Sequence, residues 1–224
     1  MVKAVIFDLD DTLISEKQYI DSGYHHIAKL LSNRINKSEE ELFELLKKLL
    51  CEGSKNVFNR LFDKLGFSYT KDTIMELVEE YRNHYPIIEF YEDTLQCLRY
   101  LKENGIKVGI ITDGYGNAQR QKLNAVRAYD YFDNIIVTDD MGREYWKPHS
   151  KAFEAMRDTM NIEFNEMIYL GDNPEKDFYI SKIYPIKTVR ITREDCLYKD
   201  RKYLENIHED YSISNLEEIK QILF

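Results

Sequence analysis

Ala4-Val5-Ile6-Phe7-Asp8-Leu9-Asp10-Asp11-Thr12 is the stretch on which the fold turns. Four consecutive apolar residues, β-branched or aromatic, form the pattern of a short strand covered on both faces, since a strand with one wet face would alternate. The run stops abruptly in acid. From Glu16 to Tyr85 the apolar period becomes helical, with Tyr24/Ile27/Leu31, Leu42/Leu45/Leu46/Leu49, Phe58/Leu61/Phe62/Leu65 and Ile74/Leu77/Val78/Tyr81 marking four amphipathic helices. Ser38 with Glu41 makes a capping box for the second, and Gly53, Gly66 and Pro86 supply breaks. Beyond Pro86 the pattern alternates: helix Glu92–Glu103, strand Lys107–Thr112, helix Asn117–Val126, strand Asn134–Val137, helix Ser150–Met160, strand Met167–Leu170, helix Glu175–Ile183, strand Lys187–Ile191. Such alternation builds a parallel sheet with helices on both faces. The first strand belongs to that sheet, and the helical stretch is an insert that leaves just after it. The charged, Tyr-rich segment from Thr192 onward contains one expected helix, Leu216–Leu223, and is otherwise hard to place.

The chain has 224 residues, and 43% hydrophobic content lets it bury a core without staples. Lys and Arg number 31 against 40 Asp and Glu, a formal net charge of −9 with no basic block. That balance argues against nucleic acid or an anionic membrane as partner, because both are gripped by clustered positive charge. Cys51, Cys97 and Cys196 are odd in number and lack paired metal spacing, so neither a disulfide framework nor a zinc cluster is expected. The apolar start meets Asp8 too early for a signal peptide, and no apolar run approaches the length of a membrane span. A cytoplasmic location is the expectation.

In a parallel α/β sheet, ligands bind outside the carboxyl ends of the strands. The residues that follow the strands here are Asp8 and Asp10, then Thr112, Asp113 and Gly114, then Lys147-Pro148, then Gly171-Asp172 with Asp177 five positions on. Asp8, Asp172 and Asp177 on one rim repel each other unless a hard divalent cation lies between them, and Mg²⁺ is the expected ion. A carboxylate kept ionised by a metal and a nearby lysine can attack phosphorus, while a carboxyl two residues away reaches the leaving oxygen. Thr112 and Lys147 then hold the oxygens of the transferring phosphoryl group.

DLDDT (Asp8 to Thr12), IIT (Ile110 to Thr112), KP (Lys147-Pro148) and GDNPEKD (Gly171 to Asp177) resemble, in order, the four motifs of the haloacid dehalogenase-like hydrolase superfamily. The resemblance implies an α/β fold, a Rossmann-like parallel sheet core at 1–15 and 87–224 with an inserted α-helical cap domain at 16–86. It implies an aspartyl-phosphate mechanism with Asp8 as nucleophile and Mg²⁺ ligand. Asp10 would be the general acid/base and lend its backbone carbonyl to the metal, Asp172 would be a ligand, and Asp177 a ligand or the partner of one. Thr112, Asp113 and Lys147 form the phosphate-binding set. Asp10 favours a phosphate ester, since members that do not protonate an alkoxide carry another residue there. Ile111 to Asp133 also resembles pyrimidine nucleotidases and N-acylneuraminate-9-phosphatases, with a similar Gln/Lys-rich helix, but has Asp113 where Asn is common.

The expected activity is therefore Mg²⁺-dependent hydrolysis of a small phosphorylated metabolite, a sugar phosphate or nucleotide. A phosphomutase of the same fold would use the same core residues. A receiver-type signalling module would place its phosphorylated Asp after a middle strand and carry no insert. Substrate choice is expected in the insert, where Lys55, Asn56 and Arg60 lie near the break at Gly53. His25-His26, without a further ligand at metal spacing, reads as a surface or packing feature, and the 17 Tyr as core and rim.

Overall fold

The computed structural model describes residues 1–195 and 201–223. Cys196, one of the three cysteines, lies outside the described residues; Cys51 and Cys97 are free thiols. Six strands form one parallel sheet: β1 (Ala4–Phe7), β2 (Lys107–Thr112), β3 (Asn134–Val137), β4 (Met167–Gly171), β5 (Lys187–Ile191) and β6 (Tyr211–Ile213), in the spatial order β3-β2-β1-β4-β5-β6. β1 is central, with Val5 level with Val108 on one side and Ile168 on the other. The chain order runs outward through β2 and β3, then returns to β4 on the opposite side of β1. That reversal opens a crevice at the carboxyl ends of β1 and β4.

The continuous apolar run at β1 follows from burial on both faces. Val5, Phe7, Ile110 and Leu170 share one cluster with Cys97, Leu98 and Leu101 of α5 (Thr94–Glu103). Ala4, Ile6 and Tyr169 belong to another, with Phe153 and Met156 of α7 (Lys151–Met160). The fold is therefore the expected α/β class with a Rossmann-type sheet. Contacts divide the chain into two units, Met1–Glu16 with Ile88–Phe224, and Lys17–Ile87. Glu16 groups with the sheet, and its carboxylate pairs with Lys122.

The regular elements of the smaller unit are helices: α1 (Glu16–Ser32), whose first residue groups with the sheet, then α2 (Glu39–Glu52), α3 (Val57–Leu65) and α4 (Lys71–Asn83). Tyr24, Ile27, Leu42, Leu46, Phe58, Leu61 and Leu77 form its core, as the helical spacing requires. The capping box forms: Glu41 N–H donates to Ser38 Oγ at 3.2 Å and Ser38 N–H to Glu41 Oε2 at 2.9 Å.

Two elements differ from the sequence expectation. The helix expected over Glu175–Ile183 is confined to α8 (Ile180–Ile183). Residues before it are taken up by a turn in which Asn173 Oδ1 accepts from Glu175 N–H and the Asn173 carbonyl from Lys176 and Asp177. The C-terminal segment adds the edge strand β6 and a 3₁₀ helix, Leu216–Gln221, in place of an α-helix. A buried ion pair secures this segment: Arg193 donates to both Asp93 oxygens at 2.7 and 2.9 Å and to the Thr12 carbonyl at 2.9 Å. Leu216 N–H adds a bond to Asp93 at 2.8 Å. No described helix is long and apolar enough to cross a membrane.

Candidate active site

The carboxyl ends of β1, β2 and β4 deliver Asp8, Thr112 and Asp172 to the crevice, and each is at least 97% buried. Asp8 continues the ladder, its N–H donating to the Leu170 carbonyl at 2.8 Å. Carboxylate oxygens of Asp8, Asp172 and Asp177 lie within 4.8 Å of one another. Lys147, in the loop after β3, reaches into this group: Nζ donates to Asp8 Oδ1 at 2.6 Å, Asp177 Oδ1 at 2.9 Å and the Tyr169 hydroxyl at 2.7 Å. Tyr169 Oη in turn donates to Asp177 Oδ1 at 3.1 Å, and Asn173 N–H holds Asp177 Oδ2 at 2.9 Å. Gly171 makes this approach possible, because a Cβ there would lie 2.5 Å from Asp177 Oδ2.

Burial pushes the Asp8 carboxyl up to about 6, against the pull of Lys147. Burial alone would lower Lys147, but Asp177 and Asp8 hold its ammonium well above the ordinary lysine value. The nucleophile candidate is thus kept ionised by its lysine in a site that otherwise disfavours charge.

Asp113 turns its carboxylate into the protein. Oδ1 accepts from Thr138 Oγ1 at 2.8 Å and Lys147 N–H at 3.0 Å, and Oδ2 pairs with Lys176 Nζ at 3.1 Å. These two lysines outweigh burial and lower its carboxyl below the usual range. Its side chain thereby braces Lys147 and Lys176. The buried Thr112 Oγ1 has no hydrogen-bond partner among the described residues. Buried hydroxyls are rarely left so, and a phosphate oxygen would satisfy this one.

Across the site, Asp8, Asp113, Asp172 and Asp177 oppose Lys147 and Lys176, an excess of two negative charges. Three mutually close carboxylates with that excess suit a hard, oxygen-preferring divalent cation. Asp10 sits apart from the three. Its Oδ1 accepts from Lys122 Nζ at 2.7 Å and its Oδ2 from Gln119 Nε2 at 3.0 Å. Burial opposes its ionisation, but the Lys122 charge and hydrogen bonds with Glu16, Lys122 and Gln119 lower its carboxyl below the ordinary value.

The haloacid dehalogenase-like hydrolase family profile matches residues 5–191. The chain belongs to this family. Among haloacid dehalogenase-like relatives, the glyceraldehyde 3-phosphate phosphatase of Methanocaldococcus jannaschii is 29% identical over 100% of this chain and 97% of its own. Pyrophosphatase PpaX of Bacillus cereus is 26% identical over 99% of this chain and 96% of its own. The crystal structure of a HAD phosphatase from Thermococcus onnurineus superposes with a TM-score of 0.64 at 30% identity, covering 99% of this chain and 98% of that one.

The structure gathers the motif residues Asp8, Thr112, Lys147, Asp172 and Asp177 at one end of the sheet, with Asp113 following Thr112 there. Lys55, Asn56 and Arg60 belong to the smaller unit. Lys55 is exposed, Asn56 holds a left-handed φ of 54°, and Arg60 donates to the Leu49 carbonyl at 2.8 Å and to that of Gly53. Arg60 thus closes the C-terminal end of α2, which leaves Lys55 as the freer cation of the two. Tyr169, Lys176, Gln119, Lys122 and Glu16 escaped the sequence reading. Lys176 lies inside the GDNPEKD motif, and Gln119 and Lys122 are three apart on α6 (Gly116–Ala125), a spacing that aligns side chains on one helix face.

Proposed function

We propose that the protein is a Mg²⁺-dependent phosphatase of a small phosphorylated metabolite, acting through an aspartyl-phosphate on Asp8. The observation that carries this reading is the buried Asp8–Lys147 contact of 2.6 Å within the Asp8/Asp172/Asp177 cluster, together with a buried Thr112 hydroxyl that has no partner among the described residues. The phosphatase names of the full-length relatives support the same class, and their substrates, glyceraldehyde 3-phosphate and pyrophosphate, are small anions.

In this reading an Asp8 carboxylate oxygen forms the bond to phosphorus as the bond to the leaving oxygen breaks, and Asp10, which takes up a proton from solvent when the anionic substrate arrives beside it, passes that proton to the leaving oxygen. Water then attacks the phosphorus of the acyl phosphate, gives its proton to Asp10 and releases the Asp8 carboxylate, so that ester and water become alcohol and phosphate. Lys147 and the Thr112 hydroxyl hold the equatorial oxygens, with the Asp113 backbone beside them. Asp8, Asp172, Asp177 and the Asp10 carbonyl would hold Mg²⁺, which supplies charge neutralisation for the approach of an anionic substrate to a carboxylate. Lys55 and Asn56 of the insert would read the leaving group.

The test is hydrolysis of a phosphate monoester panel, glyceraldehyde 3-phosphate included, by the purified chain with Mg²⁺ or with EDTA. Turnover with Mg²⁺, its loss in EDTA, and borohydride trapping of a phosphorylated Asp8 are expected. Full activity in EDTA rejects the metal, and normal turnover by Asp8→Asn rejects the nucleophile.

A further inference from the structure

Lys122 is 96% buried in the last turn of α6, and its Nζ lies 2.7 Å from Asp10 Oδ1 and 2.8 Å from Glu16 Oε2. Gln119, one turn earlier, holds the other Asp10 oxygen at 3.0 Å and also donates to the Asp113 carbonyl. Both oxygens of one carboxyl are therefore held from a single helix, and each keeps a second lone pair for a reacting proton.

Stability does not account for this arrangement. A buried lysine carries a desolvation cost that its partners at best offset, and an apolar side chain of similar volume would seat α6 as well or better. The ion pair does one thing that an apolar residue cannot: it sets the direction of the Asp10 carboxyl. Glu16, the second partner of Lys122 at 2.8 Å, also hydrogen-bonds the Asp10 carboxyl, so the three side chains form one group.

We propose that Lys122, assisted by Gln119, is a positioning residue that aims the Asp10 carboxyl at the leaving-group oxygen. This rests on the phosphatase reading and on the acid/base role of Asp10 within it. A misdirected acid matters for an alcohol that departs only as it is protonated, and hardly at all for p-nitrophenolate, which leaves without a proton. The binding of phosphate and the attack by Asp8 do not involve Lys122.

The experiment compares glycerol phosphate with p-nitrophenyl phosphate in the Mg²⁺-loaded enzyme, for wild type, Lys122→Met, Asp10→Asn and the double variant. For Lys122→Met the ratio of kcat on p-nitrophenyl phosphate to kcat on glycerol phosphate should rise about tenfold or more, with KM nearly constant. The double variant should be no slower on glycerol phosphate than Asp10→Asn alone, since residues acting as a unit are not additive. Lys122→Met leaves two buried carboxylates facing one another, so the same comparison is made in a Glu16→Gln background, and in Gln119→Leu, which keeps the ion pair and should show a smaller rise in the ratio. Equal losses on the two substrates, no loss, or losses that multiply with Asp10→Asn overturn the proposal. If Asp8→Asn abolishes turnover while Lys122→Met slows both esters alike, only the positioning role falls. If wild type hydrolyses neither ester or Asp8→Asn retains activity, the phosphatase reading falls and takes the proposal with it.

Discussion

Asp8→Asn should end turnover and, in the metal-free protein, raise stability. Burial pushes the Asp8 carboxyl up to about 6 from an ordinary 3.8, despite the attraction of Lys147. A group whose folded pKa exceeds its unfolded value takes up protons on folding, so its contribution declines as pH rises from about 4 to about 6 and stays at the lower level above that. At about 1.4 kcal/mol per pH unit, the deficit near pH 8 is about 3 kcal/mol. Asn is nearly isosteric and carries no charge, and Lys147 keeps its 2.9 Å contact with Asp177. The variant should therefore melt roughly 6–12 °C above wild type at pH 8 in EDTA, at the ~2–4 °C per kcal/mol of a chain this long. Near pH 4 the two should coincide. Thermal melts across this range, repeated by urea titration, check the expectation. Excess Mg²⁺ should narrow the gap, because a ligand bound by the folded wild type stabilises it by mass action. An Asp8→Asn protein less stable than wild type at pH 8, or a gap that does not change with pH, would refute the account of Asp8 as a carboxylate held in a site that disfavours its charge.

Three further outcomes are expected. Arg193→Met strands Asp93, buried and left with the Leu216 N–H bond of 2.8 Å, so urea unfolding should show a loss of about 3–5 kcal/mol; a loss below about 1 kcal/mol would mean that water reaches Asp93. Gly171→Ala places a Cβ 2.5 Å from Asp177 Oδ2, and the displaced carboxylate should weaken Mg²⁺ binding, read by calorimetry, by about 10–100-fold; unchanged affinity would show that Asp177 has no part in the metal site. Lys55→Ala should lower kcat/KM for the preferred metabolite by the ~1.5–3 kcal/mol of a charged hydrogen bond while sparing p-nitrophenyl phosphate; parallel losses, or none, would return Lys55 to the solvated surface.

The sheet and the first residues beyond each of its main strands were legible in the sequence because both follow from local pattern. A doubly covered strand must be apolar throughout, as Ala4–Phe7 is, and the polar residue that ends it must emerge at the carboxyl edge where Asp8, Thr112 and Asp172 stand. The four inserted helices were legible for the same reason, their period, caps and glycine breaks being written within each segment. β6 was not, because a three-residue edge strand with two exposed positions owes its place to pairing with β5 and not to its own hydrophobicity. Nor was the shortening of α8, which comes from the turn that wraps Asn173 around Asp177. The carboxylate and lysine partners belong to the same class of fact. Lys122 reads as any lysine on a helix, and only the rotation of α6 against the loop after β1 sinks it between Asp10 and Glu16. Lys176 and Asp113 are 63 residues apart and meet because β2 and β4 flank β1 in the sheet. Sequence determined which residue types arrive at the crevice, since that depends on strand ends. Tertiary structure alone decided which charge faces which, since an ion pair depends on distances of a few ångströms between segments whose separation along the chain carries no information about their separation in space.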